Sequence, residues 1–252
     1  MTDEYRKKIA KEFKDCVDGT IQRITTGERT YRPFHSALLS DDVLFWSAFE
    51  RSFSTSFGQR VIEEIALLVA MANGATDAKR QKETNISLDI SYENAIREHM
   101  LRIRSKNKGK YDWDSSLSEI KAVTPSGKTE PVRIISDLWW KKDGIDNFCS
   151  LKTVKPNIDQ TAVAKEDCFR LSLAIPNCHA YFGLPYNPYG ENKTDYAHNP
   201  PMGIFDFRHD SVVLIGKELW DTIGGDGCYE ELLAIAAEVG KETRKRIETL
   251  VK

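Results

Sequence analysis

Little in this chain marks a membrane-embedded, secreted or zinc-stapled protein. The five cysteines, Cys16, Cys149, Cys168, Cys178 and Cys228, include no C-x-x-C pair. An odd, scattered set of thiols builds neither a disulfide framework nor a four-ligand zinc site. The five histidines, His35, His99, His179, His198 and His209, also lack metal-ligand spacing. No window approaches the roughly eighteen uninterrupted apolar residues of a membrane-spanning helix. The opening residues carry no apolar core of a signal peptide. An intracellular, cytoplasmic protein with free thiols is the expectation. Charge of one sign is missing too: 36 Lys and Arg against 38 Asp and Glu leave a formal net charge of −2. That excludes a binder that grips nucleic acid through bulk positive charge. It leaves room for a local basic groove beside a carboxylate-rich metal site.

What is present is enough apolar material for a core. The 252 residues are 40% hydrophobic and 29% charged, which suits a single globular domain. A helical N-terminal part to about residue 110 and a sheet core over about 120–240 are expected. Residues 5–23 place Ile9, Phe13, Val17 and Ile21 four apart, the mark of an amphipathic helix. After a turn-rich stretch, Ser40 caps a long helix over 41–73, broken near Gly58 and stopped by Asn73-Gly74. The polar segment 76–85 reads as exposed, and 92–104 as another helix ending in the basic run from Arg102 to Lys110. That run is a candidate for phosphate contacts, although solvated charge explains it equally.

Beyond this point the pattern changes to period two. Residues 131–140 and 147–154 are β-rich runs joined by Asp143-Gly144, a hairpin signal. A helix over 159–173, strands near 179–184 and 211–215, and a final helix from 229 follow. The loop 185–201 is long and rich in Pro, Asn, Gly and Tyr. The order implies an α/β fold with a mixed central sheet flanked by helices.

The chemistry concentrates between Asp137 and Glu166. Ser150 and Lys152 alternate on one strand and therefore share a face, and pairing of the two β-runs brings Asp137 alongside. Thirteen residues separate Lys152 from Glu166, which falls on the crossover helix that packs over that face. Two carboxylates and a lysine are the groups that phosphodiester hydrolysis wants: acids hold Mg²⁺ with sites left for water and phosphate, and a lysine steadies developing negative charge. Ser150 has no histidine near it in sequence to serve as base, which argues against a serine hydrolase.

This constellation resembles the PD-(D/E)xK nuclease superfamily, with Ser136-Asp137 in place of Pro-Asp and Ser150-Leu151-Lys152 in place of the acid-x-lysine. The resemblance extends to a branch in which serine takes the strand position and the carboxylate migrates to the following helix, where Glu166 stands. The segments FERSFSTSFGQRVIEE (49–64), SLKTVKPN (150–157) and ELWDTIGG (218–225) together are similar to the TdeIII-type type II restriction endonucleases. That resemblance implies a restriction-endonuclease-like core, Mg²⁺ held by Asp137 and Glu166, and double-stranded DNA as substrate. It further implies a short palindromic target, GGNCC-like, cut by a homodimer. It also implies a fourth acid from the N-terminal helix, for which Glu64 is favoured over Glu63 and Glu50. Ser150, Lys155, Asn157, Lys165, Asp167 and Arg170 flank the site as candidate DNA contacts, with Arg170 the candidate guanine reader. Tyr181, Tyr186, Tyr189 and Tyr196 are candidates for base stacking, although core or loop packing is the commoner use. A repair or recombination nuclease of the same superfamily, and a DNA-binding relative without catalysis, are the alternatives.

Overall fold

In a computed structural model, the structure describes residues 1–27, 30–105, 112–199 and 203–250, without the side chain of Gln59. Lys106, Lys108 and Lys110 of the basic run therefore lie outside the described residues.

A five-stranded mixed sheet organises the molecule. Its strands are β1 (Asp77–Asp89), β2 (Thr129–Lys142), β3 (Ile145–Leu151), β4 (His179–Leu184) and β5 (Val213–Ile215), adjacent in that order. β1–β2 and β2–β3 pair antiparallel, whereas β3–β4 and β4–β5 pair parallel. The β2–β3 hairpin turns on Asp143 (φ +52°) and Gly144 (φ +78°), the double left-handed geometry that the Asp-Gly pair suits. The parallel β3–β4 step needs a crossover, supplied by α7 (Ile158–Ala174).

Two apolar layers close over the sheet. One face carries α5 (Ile90–Arg104), α6 (Trp113–Lys121) and α7, whose Ile96, Trp113 and Phe169 bury against Trp139, Phe148 and Phe182 of the strands. The other carries α1 (Asp3–Thr26), α4 (Ile62–Ala72), α8 (Lys217–Gly224) and α9 (Cys228–Ile247), with Ile65, Val69, Trp220 and Ile223 against Leu138, Trp140 and Leu151. Successive residues of β2 and β3 thus enter opposite cores, as a strand covered on both faces requires. The short α2 (Pro33–Leu38) and α3 (Asp41–Ser56) lead into α4. Ser40 caps α3, its hydroxyl accepting from Val43 N. The break near Gly58 is a π-turn over Phe57–Val61.

The structure adds to or corrects three expectations. The polar segment 76–85 is exposed or half-covered, as expected, but it forms most of β1, which pairs with β2 along its whole length except at one position. Its alternation is of exposed against half-covered polar residues, so hydrophobicity gave no period-two signal. β1 also brings the first 110 residues into the sheet, and α1 and α4 share a core with α8 and α9. A boundary near residue 110 therefore separates nothing physically. Finally, α2 and α6 arise where the sequence pattern gave no helix. Among the described residues no helix is long and apolar enough to cross a membrane.

Candidate active site

The β2–β3 register pairs Leu138 with Cys149, so one step further Ser150 stands across from Asp137. Like charges directly opposite one another destabilise an antiparallel pair. A hydroxyl there avoids that repulsion and donates to Asp137: Ser150 Oγ lies 3.3 Å from Asp137 Oδ2. Lys152, two residues on and on the same face, sets its Nζ 2.8 Å from the same oxygen. Its backbone N–H donates to Gly183 O at 2.9 Å, which fixes the root of the side chain to β4. Asp137 and Lys152 keep 16% and 23% of their side chains accessible, so the pair is sheltered but reachable.

The second oxygen of Asp137 accepts from Gln81 Nε2 at 3.2 Å, and the same nitrogen donates to Glu63 Oε1 at 3.0 Å. Gln81 therefore joins an acid of α4 to the sheet aspartate. Burial raises the Glu63 carboxyl above its usual range; Gln81 pulls it back, and the charge of Asp137 pushes it up again. Glu64, favoured from the sequence, is drawn away to Arg80, whose Nε lies 3.0 Å from Glu64 Oε2. Glu50 accepts from Ser54 Oγ within α3. The acid beside Asp137 is thus Glu63. The phase of α4 against Val61 and Leu68 favoured Glu64, but Arg80 of β1 claims that acid and Gln81 claims Glu63.

On α7 the outcome is mixed. Asn157 is the helix N-cap, its Oδ1 accepting from Gln160 N at 2.8 Å. Lys165 is fully buried, contrary to its expected place on a DNA surface. Its Nζ donates to Ile204 O at 2.7 Å and sits over the Phe169 and Phe205 rings. Burial pulls its pKa down to about 8. Arg170 is likewise committed inside the fold. It grips Glu93 with two bonds of 2.9 and 2.7 Å, and also reaches Asp167 at 2.9 Å and Glu166 at 3.3 Å. Four of its donor bonds are spent on carboxylates, which leaves the expected guanine-reading role without its fork. Glu166 projects from the helix that covers the site's face. Among the described residues no hydrogen bond or ion pair joins it to Asp137 or Lys152. Asp167 lies within electrostatic reach of Lys152, and burial raises its carboxyl.

Lys155 sets its Nζ 5.7 Å over the Tyr189 ring. Two neighbouring contacts tie this segment to the long loop: Tyr196 Oη donates to Val154 O at 3.0 Å, and His198 Nε2 lies 3.1 Å from Pro156 O. Tyr196 is itself fully buried, stacked on Phe207 at 4.9 Å, so it packs the loop and does not face solvent for base stacking. Gln81 and Glu63 are the site residues that sequence reasoning missed or set aside. A mid-strand glutamine carries no motif, and the adjacent acids Glu63 and Glu64 are told apart only by the β1 residues that hold them.

The donors present suit a hard divalent cation. Carboxylate oxygens from Asp137 and Glu63 face one amide nitrogen, with an ammonium alongside. Among the described residues no group of three or more Asp, Glu, His or Cys side chains is placed to hold a metal ion.

The sheet contributes Asp137 and Lys152 and α4 contributes Glu63, and it is comparison with known proteins that supplies the class. The model of the family described as "Type II restriction endonuclease, HinfI" matches residues 1–240. The chain belongs to this family of type II restriction endonucleases; the match does not extend to a TdeIII-type assignment or to a migrated glutamate. Among curated proteins, the type II restriction enzymes HgiCII and HgiEI of Herpetosiphon aurantiacus are each 29% identical to it, over 94% of this chain and 86% of their own length. HgiBI of the same organism is 28% identical over the same shares. No solved structure matches.

Proposed function

We propose that the chain is a Mg²⁺-dependent, site-specific endonuclease of the PD-(D/E)xK type that hydrolyses both strands of a short palindromic duplex. The observation that carries this is the 2.8 Å Lys152–Asp137 ion pair on adjacent strands, with Ser150 in the register position and Glu63 joined through Gln81.

In this reading Asp137 and Glu63 supply carboxylate oxygens to the cation. Glu166, held by Arg170 through a single 3.3 Å bond, would be the third acid to hold the cation. A Mg²⁺ ion held there would supply acidification of a water molecule and offset of phosphate charge. Lys152 stands beside Asp137, where its ammonium orients the attacking water and steadies the negative charge that builds on the phosphate oxygens. Ser150 keeps the aspartate's outer oxygen aimed by a single hydrogen bond, without adding charge. Each chain carries one such site, and cutting two strands related by a two-fold axis calls for two chains, hence a homodimer. The TdeIII-type resemblance of the segments 49–64, 150–157 and 218–225 is what supports a GGNCC-like target.

The test is incubation of the purified chain with phage or plasmid DNA, with and without Mg²⁺. Discrete, reproducible fragments that vanish on chelation are the expected outcome. Intact DNA, or a smear of random ends, would remove the proposal.

A further inference from the structure

Two departures from regular backbone geometry meet at one pair of carboxylates. The first is Gln81, which sits inside β1 with φ at +48°. A left-handed non-glycine residue in mid-strand is costly and persists only where its surroundings impose it. The β1–β2 ladder runs unbroken in one register from Asp77–Lys141 to Asp89–Thr129, except that the Gln81–Asp137 pair is absent. The sheet therefore gives up a pairing at the position of the central aspartate, and the freed side chain turns its amide onto Asp137 and Glu63.

The second departure is the π-turn over Phe57–Val61. Such a turn inserts one residue into the helix. Within it Arg60 O accepts from Arg80 Nη1 at 3.3 Å, while Arg80 Nε holds Glu64 at 3.0 Å. Consecutive residues of β1 thus sort consecutive acids of α4: Arg80 takes Glu64 outward, and Gln81 takes Glu63 inward to Asp137. A neutral amide with two N–H bonds is the group that can hold two carboxylates together without adding net charge.

We propose that Gln81 is a positioning residue of the nuclease centre, and that its strained backbone is retained to dock the α4 acid against Asp137. The proposal rests on the reading given above. It predicts that stability and function separate at this position. Gln81→Gly removes the steric cost of the left-handed backbone together with the amide.

The metal-free Gly variant should melt at or above the wild-type temperature. Titration with Ca²⁺, which binds without supporting turnover, should show weakened binding. With Mg²⁺, kcat should fall by about tenfold or more at unchanged KM for DNA, the signature of lost positioning. Gln81→Asn, which keeps an amide and tolerates the backbone, should retain more of kcat than Gly. Overturning results are a Gly variant that cuts and binds Ca²⁺ like wild type, or one whose melting temperature falls in step with its activity. If wild type cuts and Asp137→Ala does not while Gln81→Gly is unimpaired, the positioning role alone falls. A wild-type chain that leaves duplex DNA intact overturns the underlying reading and this inference with it.

Discussion

Two clusters of carboxylates lie on neighbouring elements of the fold and are held in opposite ways. At the sheet, Asp137 and Glu63 are held by an ammonium, a hydroxyl and an amide, each contributing one-point bonds of 2.8 to 3.3 Å. Between α5 and α7, Glu93, Glu166 and Asp167 share one guanidinium, with Glu93 gripped on both oxygens. A bidentate fork is strong and geometrically exacting, whereas single hydrogen bonds at a partly open surface are easily exchanged. The second cluster ties two helices together. In the proposed function the first rearranges around an arriving cation and phosphate, and Glu166, on a single 3.3 Å bond to Arg170, is the member of the second that can join it. The difference teaches that acidity alone does not mark the reactive place; replaceable partners do.

The largest effect should come from breaking the replaceable cluster at its centre. Lys152→Ala removes the ammonium proposed to steady the phosphate, and Asp137→Ala removes the acid on which Lys152, Ser150 and Gln81 converge. Each should lower kcat by on the order of 10³ or more, by analogy with loss of preorganised electrostatic groups. Thermal melting should change little, because one-point, partly exposed pairs contribute little to stability. Glu166→Ala belongs to the same experiment and decides the third acid. A drop of about 10²-fold would support its exchange from Arg170 to the metal. Activity equal to wild type would remove Glu166 and leave Asp137 and Glu63 as the acids of the centre.

Breaking the structural cluster should do the reverse. Arg170→Leu leaves Glu93, a side chain only 9% exposed, without its bidentate partner. Stranding a buried charge of this kind costs roughly 3 kcal/mol, equivalent to a melting point lower by about 6–12 °C in a chain of this size. The double change Arg170→Leu with Glu93→Leu should recover much of that loss, since the unpaired charge goes with its partner. Calorimetry on the three proteins checks it. A single variant as stable as wild type would place the helix–helix tie elsewhere.

How far this contrast could be read from the sequence depends on the kind of signal each residue leaves. The hairpin was legible because Asp143-Gly144 enforces its turn and the flanking runs alternate. Once the hairpin was placed, Asp137, Ser150 and Lys152 followed by register. The crossover helix was legible from its apolar positions, and its bounds differ from expectation by a residue at either end. What stayed hidden is what depends on tertiary partners. Lys165 and Arg170 look like surface cations on α7, yet the helix turns one into the core under Ile204 and Phe205, and the other onto Glu93, 77 residues earlier. β1 has too little apolar alternation to announce itself, and its Gln81 acquires meaning only from the strand opposite. The choice between Glu63 and Glu64 turned on which of them Arg80 and Gln81 of β1 hold, which no local pattern encodes.

A third carboxylate sharpens the comparison by showing what an acid looks like when it is held entirely for structure. Asp89 caps α5 and is almost wholly buried. It accepts from Ser91 N, Ser126 N, Ser126 Oγ and Gly127 N at 2.8 to 3.0 Å. Burial alone raises its carboxyl, but those four donors outweigh burial and hold the pKa down to about 2. Because the folded value lies below the usual value of 3.8, the stabilisation is fully present above pH 4. It is lost as the pH falls from about 4 toward 2, where the folded carboxyl finally takes up its proton. Asp89→Asn should therefore lower the melting temperature modestly at neutral pH and flatten the fall in stability between pH 4 and 2, leaving Mg²⁺-dependent cleavage at pH 7 unaltered. Parallel melting curves for wild type and variant across that acid range would mean that Asp89 gains nothing from its charge, and that its four donors would serve a neutral cap equally well.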